Sequence, residues 1–136
     1  MAEKIRIKGR AEWPGIVTAE ALVSPMPIEG FANVDVPNGY TTERNHPLFK
    51  VPMEGKVLVF PAARGSGGFT GYGRSPKGPA AYVHTEGNAL TVACVMFAGV
   101  PAMTDFETDP LTVIETGDIV CVNADEGYIE VTKKEK

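Results

Sequence analysis

Glycine and proline interrupt this chain so often that they leave little room for a long helix. There are 15 glycines and 11 prolines in 136 residues. Inside a helix each costs roughly 1 and 3 kcal/mol, respectively, relative to alanine. Between these breaks lie short runs rich in Val, Ile and Thr: KIRIKG, GIVTAEALVS, GKVLVFP, AAYVHT, LTVIET, DIVCVN and YIEVT. Runs of that length, bounded by Gly, Pro, Asn and Asp, read as strands. KIRIK alternates strictly, which turns Ile5 and Ile7 inward and Lys4, Arg6 and Lys8 outward. GDIVCVNADEGYIEV reads as two strands joined by a turn at Asn123 to Gly127.

One segment departs from the strand habit. NALTVACVMFAGVPAM carries an apolar run with Asn88 placed as N-cap, Gly99 as C-terminal cap and Pro101 as terminator. It predicts a helix of about ten residues packed on a sheet, with Leu90, Val95 and Met96 buried. A second helix after Gly68 is short or absent, because Pro76, Gly78 and Pro79 follow closely. Many strands and one clear apolar helix give a β-rich α/β domain. The length fits one domain over residues 1–136, with 133–136 (KKEK) as a solvated tail.

Charge and composition exclude several classes of function. The net charge is −4, which disfavours nucleic acid, whose phosphates select basic surfaces. No apolar run reaches the ~18 residues of a membrane span. MAEKIRIKGR lacks the apolar centre of a secretion signal, so the chain is expected to be cytoplasmic. In that compartment Cys94 and Cys121, both in apolar segments, are expected as buried thiols rather than a disulfide. There is no CxxC, HExxH or Cys/His cluster, so no metal site is expected on this chain.

The stretch with chemical potential is PAARGSGGFTGYGRSPKG, Pro61 to Gly78, directly after the buried-strand run GKVLVF. A glycine-rich turn after such a strand converges backbone N–H groups and lets a ligand approach closely. Arg64 and Arg74 flank it, and arginine suits a carboxylate or phosphate. Ser66 is the proton-transfer side chain in the tight turn. The turn matches neither GxxxxGK[ST] nor GxSxG, so phosphate-loop and hydrolase-elbow chemistry are unsupported. On residues alone it is either a flexible surface turn or an anion site. His46, held extended before Pro47, reads as a loop histidine or a catalytic one. Trp13 reads as a core or interface plug, and His84 as the end of a strand.

The order ALVS, HPL, GKVLVFPAARGS, GPAAYV, AGVPAM and TGDIVCVNADEGYIEV resembles the small subunit, or swivel domain, of the aconitase X family over about residues 9 to 131. The resemblance implies a swivelling β/β/α domain and a hydro-lyase that dehydrates a small hydroxy acid such as cis-3-hydroxy-L-proline or mevalonate 5-phosphate. It implies an aconitase X-type large subunit as partner, on which an iron–sulfur cluster or iron is expected. It further implies that Ser66 removes a substrate proton and that Arg64 grips a carboxylate. Gly65 and Gly67 would contact substrate through the turn, with His46 and Asp35 as further binding residues in family-matched segments. The family's run of serines after the matching Gly-Ser is here Gly67 and Gly68, and the continuation FTGYGRSPKG differs as well. Two other readings remain open. One is a non-catalytic scaffold of the same fold. The other is a phosphohistidine swivel domain, whose carrier histidine would fall on Leu90.

Overall fold

Two stretches of chain change strand partners midway, and this closes the sheet into a ring. A computed structural model describes residues 3–135. The strands are β1 (Lys4–Lys8), β2 (Arg10–Trp13), β3 (Ile16–Val23), β4 (Val34–Asp35), β5 (Tyr40–Thr41), β6 (Val57–Phe60), β7 (Ala81–His84), β8 (Ala102–Thr104), β9 (Ile119–Asn123) and β10 (Tyr128–Thr132). The helices are α1 (Thr70–Arg74) and α2 (Ala89–Ala98). β3 pairs antiparallel with β9 through Ile16 to Glu20, then parallel with β6 through Ala21 to Val23. β1 pairs with β10 and β2 with β8, although only Gly9 separates β1 from β2. The full order is β1-β10-β9-β3-β6-β7-β8-β2, and the two end strands are consecutive in the chain. At the corner, the Gly9 N–H donates to the Gly127 carbonyl (3.0 Å). A Cβ on Gly9 would lie 2.5 Å from the Phe106 ring, so only glycine fits there.

One half of the ring is an antiparallel set and the other, β3-β6-β7-β8, is parallel. The parallel half is covered on both faces, which is why GKVLVF reads as an unbroken apolar run. Val57 and Val59 point into the ring beside Val83, Met103, Val120, Val122 and Ile129. Leu58 and Phe60 point outward to a second core with Ile28, Phe69, Tyr72, Tyr82, Cys94 and Val95. There Phe60, Phe69 and Tyr82 meet at centroid distances of 4.9 to 6.4 Å. The architecture is the expected strand-rich α/β one, with α1 as the short second helix.

The capping of α2 follows the sequence reading. Asn88 Oδ1 accepts the Thr91 N–H (3.0 Å), Thr91 Oγ1 accepts the Asn88 N–H (2.9 Å), and Gly99 takes φ 64°. Val95 is fully buried, but Met96 is not. It is 58% exposed and Phe97 62% exposed, because Thr91, Cys94 and Val95 form the inward face. LTVIET is not a strand. Asp109 accepts the Leu111 N–H (3.0 Å), and Pro110–Thr112 winds into a 3-10 turn that drops Ile114 into the ring core. Cys121 is half-buried rather than buried. Within KKEK, Lys134 and Glu135 are exposed as expected of a solvated tail, while Lys133 is half-buried and the chain is tied back at its start. Lys133 Nζ donates to the fully buried Asp118 (2.5 Å), and the Lys134 N–H donates to the same carboxylate (2.9 Å). Lys136 lies outside the described residues. No helix among them is long and apolar enough to cross a membrane.

Candidate functional site

The loops after β3 and β6 leave neighbouring parallel strands at their carboxyl ends, where α/β sheets commonly bind ligands. They are laced together by main-chain bonds. The N–H groups of Ile28, Arg64 and Gly30 donate to the carbonyls of Ala62, Ile28 and Gly68 at 3.0, 2.9 and 2.6 Å. The Tyr72 hydroxyl donates to the Glu29 carbonyl (3.0 Å). Burial pushes that phenol up to about 12, so it stays a donor.

The glycine-rich turn is built on this floor. Gly65 and Gly68 take φ 80° and 55°, and the Gly68 N–H closes the turn onto the Gly65 carbonyl (3.3 Å). Beneath it, Cys94 Sγ accepts the Phe69 N–H (3.4 Å), and burial pushes that thiol up, away from thiolate. Ser66 sits exposed at the crown. Among the described residues its hydroxyl has no partner, and the N–H groups of Gly65, Ser66 and Gly67 have no acceptor. Three consecutive donors beside an exposed hydroxyl suit an anion or a developing oxyanion.

Arg64 is already paired. Its Nη2 donates to Glu43 Oε1, a residue that sequence reasoning did not single out. Glu29, also missed, lies beside Gly65, with its Cγ 3.6 Å from where a Gly65 Cβ would be. Burial pushes the Glu29 carboxyl up. The N–H groups of Ala32, Asn33 and Phe31 and the Arg64 charge more than offset that and hold it below the usual carboxylate range. Arg64 therefore pairs with one carboxylate and its charge is felt by a second. Neither Glu43 nor Glu29 lies in a motif, so neither carries a local signal. The pairing becomes visible only when the loops meet.

His46 does not face this turn. It is buried, and the Leu48 N–H donates to its Nδ1 (3.0 Å). Nε2 therefore carries the hydrogen and donates to the Pro27 carbonyl (3.2 Å), with Ser24 Oγ at 3.4 Å. Both nitrogens are engaged, and the imidazole pins the 43–48 turn to the loop after β3. Asp35 shapes the β4–β5 turn. It accepts the Asn38 side-chain amide (3.0 Å) and N–H (3.1 Å), which hold its carboxyl low. Trp13 lies against the outer core. His84 is fully buried and meets Glu12 through Nε2 (2.6 Å) and the Glu86 carbonyl through Nδ1 (3.1 Å). Leu90 stands against Gly68, and no imidazole begins α2. The donor set fits no metal: among the described residues no three His, Cys, Asp or Glu side chains converge.

Residues 6–131 match the family model described as the aconitase X swivel domain. The phosphomevalonate dehydratase small subunit of Methanosarcina mazei is 34% identical over 134 residues, covering 96% of this chain and 93% of the relative. The protein of the same name from Methanocella arvoryzae is 31% identical and covers 94% and 100%. The crystal structure of Thermococcus kodakaraensis aconitase X in its holo form superposes with a TM-score of 0.82 at 26% identity, covering 95% of this chain and 99% of that one.

Proposed function

The chain belongs to the aconitase X swivel-domain family, and from that membership we propose that it is the small subunit of a two-chain hydro-lyase dehydrating a small hydroxy acid of the phosphomevalonate type. The relatives' names support the substrate class and the existence of a large subunit. The observation that carries the chemistry is the exposed Ser66 on a turn whose three N–H groups are unclaimed, next to Arg64.

Ser66 Oγ takes the proton from the carbon adjacent to the one bearing the hydroxyl. The electron pair forms the double bond as the C–O bond breaks, and the departing hydroxide takes up the proton held on Ser66, so that water leaves and the base is restored. A serine alkoxide is far too basic to persist unaided. No histidine of this chain reaches Ser66, so stabilisation falls to the N–H groups of the turn and the nearby guanidinium. Glu43 uses Nη2 of Arg64. The Nε and Nη1 hydrogens remain for an anionic group of the substrate. In this reading any iron belongs to the large subunit, in keeping with the lack of three converging His, Cys, Asp or Glu side chains among the described residues.

The test is steady-state kinetics of the reconstituted two-subunit complex. The isolated chain is expected to be inert on mevalonate 5-phosphate. Ser66→Ala is expected to assemble normally and lose at least about 10²-fold in turnover, the lower end for a positioned acid–base group. Near-parental turnover by that variant overturns the reading and leaves the loop a closure element on a scaffold.

A further inference from the structure

We infer that Glu43 is a positioning residue for the substrate-binding arginine, an inference that rests on the role given to Arg64 above. A surface arginine is ordinarily a poor anchor, because its long side chain samples many rotamers and an exposed ion pair adds little. Here Arg64 is 47% exposed but its partner only 24%. Glu43 is fixed at both ends of its own backbone. Its N–H donates to Thr41 Oγ1 (3.1 Å), and its carbonyl accepts the His46 N–H (3.1 Å). Thr41 is buried and donates to the Asn33 carbonyl (3.1 Å). The buried His46 ring, bonded to Leu48 and Pro27, fixes the other end.

The backbone that carries this carboxylate is thus tied to the buried Thr41 and to the segment of the buried His46. On the other flank, Glu29 is held by three N–H groups and carries a second negative charge towards the same guanidinium. A carboxylate on an anchored backbone and a second one held by main-chain N–H groups together favour one orientation for the planar fork. Glu43 takes Nη2 and thereby fixes which donors remain free for a substrate anion. This also gives His46 a part in the site without any contact with substrate: it holds the turn that holds Glu43.

The experiment compares Glu43→Gln, Glu43→Asp, Arg64→Lys and Glu43→Gln/Arg64→Lys in the reconstituted complex. Arg64 side-chain N–H resonances are followed in the isolated chain. Glu43→Gln keeps the size and removes the charge. It is expected to raise KM roughly five-fold, the upper end for a partly exposed pair, with kcat within about two-fold. Glu43→Asp recovers most of the loss. In the Arg64→Lys background the same change adds little, because there is no fork left to aim. Slow rotation of the Arg64 guanidinium is expected in the parent and lost in Glu43→Gln. An unchanged KM, an equal KM effect with and without Arg64, or a drop in melting temperature with KM intact each overturns the inference. A normal KM for Glu43→Gln beside an inactive Ser66→Ala removes Glu43 alone, whereas an active Ser66→Ala removes the site reading itself.

Discussion

Gly68→Ala probes whether the turn under Ser66 is as tightly constrained as the geometry indicates. Two separate costs apply. The backbone at Gly68 has φ 55°, a region where a Cβ costs roughly 1 kcal/mol or more. The added methyl would also lie 2.7 Å from Cys94 Sγ and 3.2 and 3.4 Å from Leu90 carbons. Overpacking of that kind costs typically about 1–3 kcal/mol. Together they predict about 2–4 kcal/mol, a large share of a domain's stability. The steric part has an identified partner and is therefore removable. Cys94→Ala alone is expected to cost about 1–3 kcal/mol, because it removes the buried sulfur and leaves the Phe69 N–H without its acceptor. In the double variant the methyl added at position 68 occupies the space Sγ leaves, so the steric cost should vanish, and the backbone cost and the unpaired Phe69 N–H should remain. Urea unfolding of the four proteins, followed by circular dichroism, gives the coupling, expected at about 1–3 kcal/mol. Additivity within ~0.5 kcal/mol would refute the contact. A Gly68→Ala variant as stable as the parent would refute the left-handed turn.

Two further outcomes follow from burial and charge. Val95→Asp puts an unpaired charge into the outer core and is expected to abolish the folded state, while Phe97→Asp on the same helix should leave the thermal melt within about ±0.5 kcal/mol; equal effects would mean that α2 is rotated from its described face. Burial pushes the Asp118 carboxyl up, but Lys133 and the N–H groups of Glu115 and Lys134 more than offset this, so its folded pKa is depressed. That stability is present above the unfolded pKa near 4 and is lost as pH falls through the lower folded value. Urea midpoints between pH 7 and pH 3 should therefore drop more in the parent than in Asp118→Asn, which starts about 2 kcal/mol less stable.

The elements governed by local rules were legible in the sequence. The capped ends of α2, the β9–β10 hairpin and the two-faced burial of β6 each follow from residues within a few positions of one another. What was not legible depends on pairings across the chain. β2 (RAEW) and β8 (AMT) are too short and mixed to register as strands, and each exists because the other is beside it. The mostly apolar α2 gave no angular preference that would separate buried Val95 from exposed Met96 and Phe97. At the site, Ser66 and Arg64 stood out by type and setting. His46 was noticed for its chemistry, but its role is set by Pro27 and Leu48 on either side of it. Glu43 and Glu29 are ordinary acidic residues until the loops after β3 and β5 converge on Arg64.

The ring closure at Gly9 also bears on how fast this chain can fold. Arg6 reaches Glu130 across 124 residues of sequence, and Lys4 stands opposite Thr132. Bringing such distant segments together costs loop entropy before any contact returns it. A topology dominated by non-local strand pairing is accordingly slow, in the millisecond-to-second range typical of such folds. The parallel half, β6-β7-β8 with α2, can assemble from a contiguous stretch, whereas the first strands must wait for the last. Stopped-flow refolding should then report the outer aromatic core of Phe60, Phe69 and Tyr82, which lies within that stretch, before it reports the seam between β1 and β10.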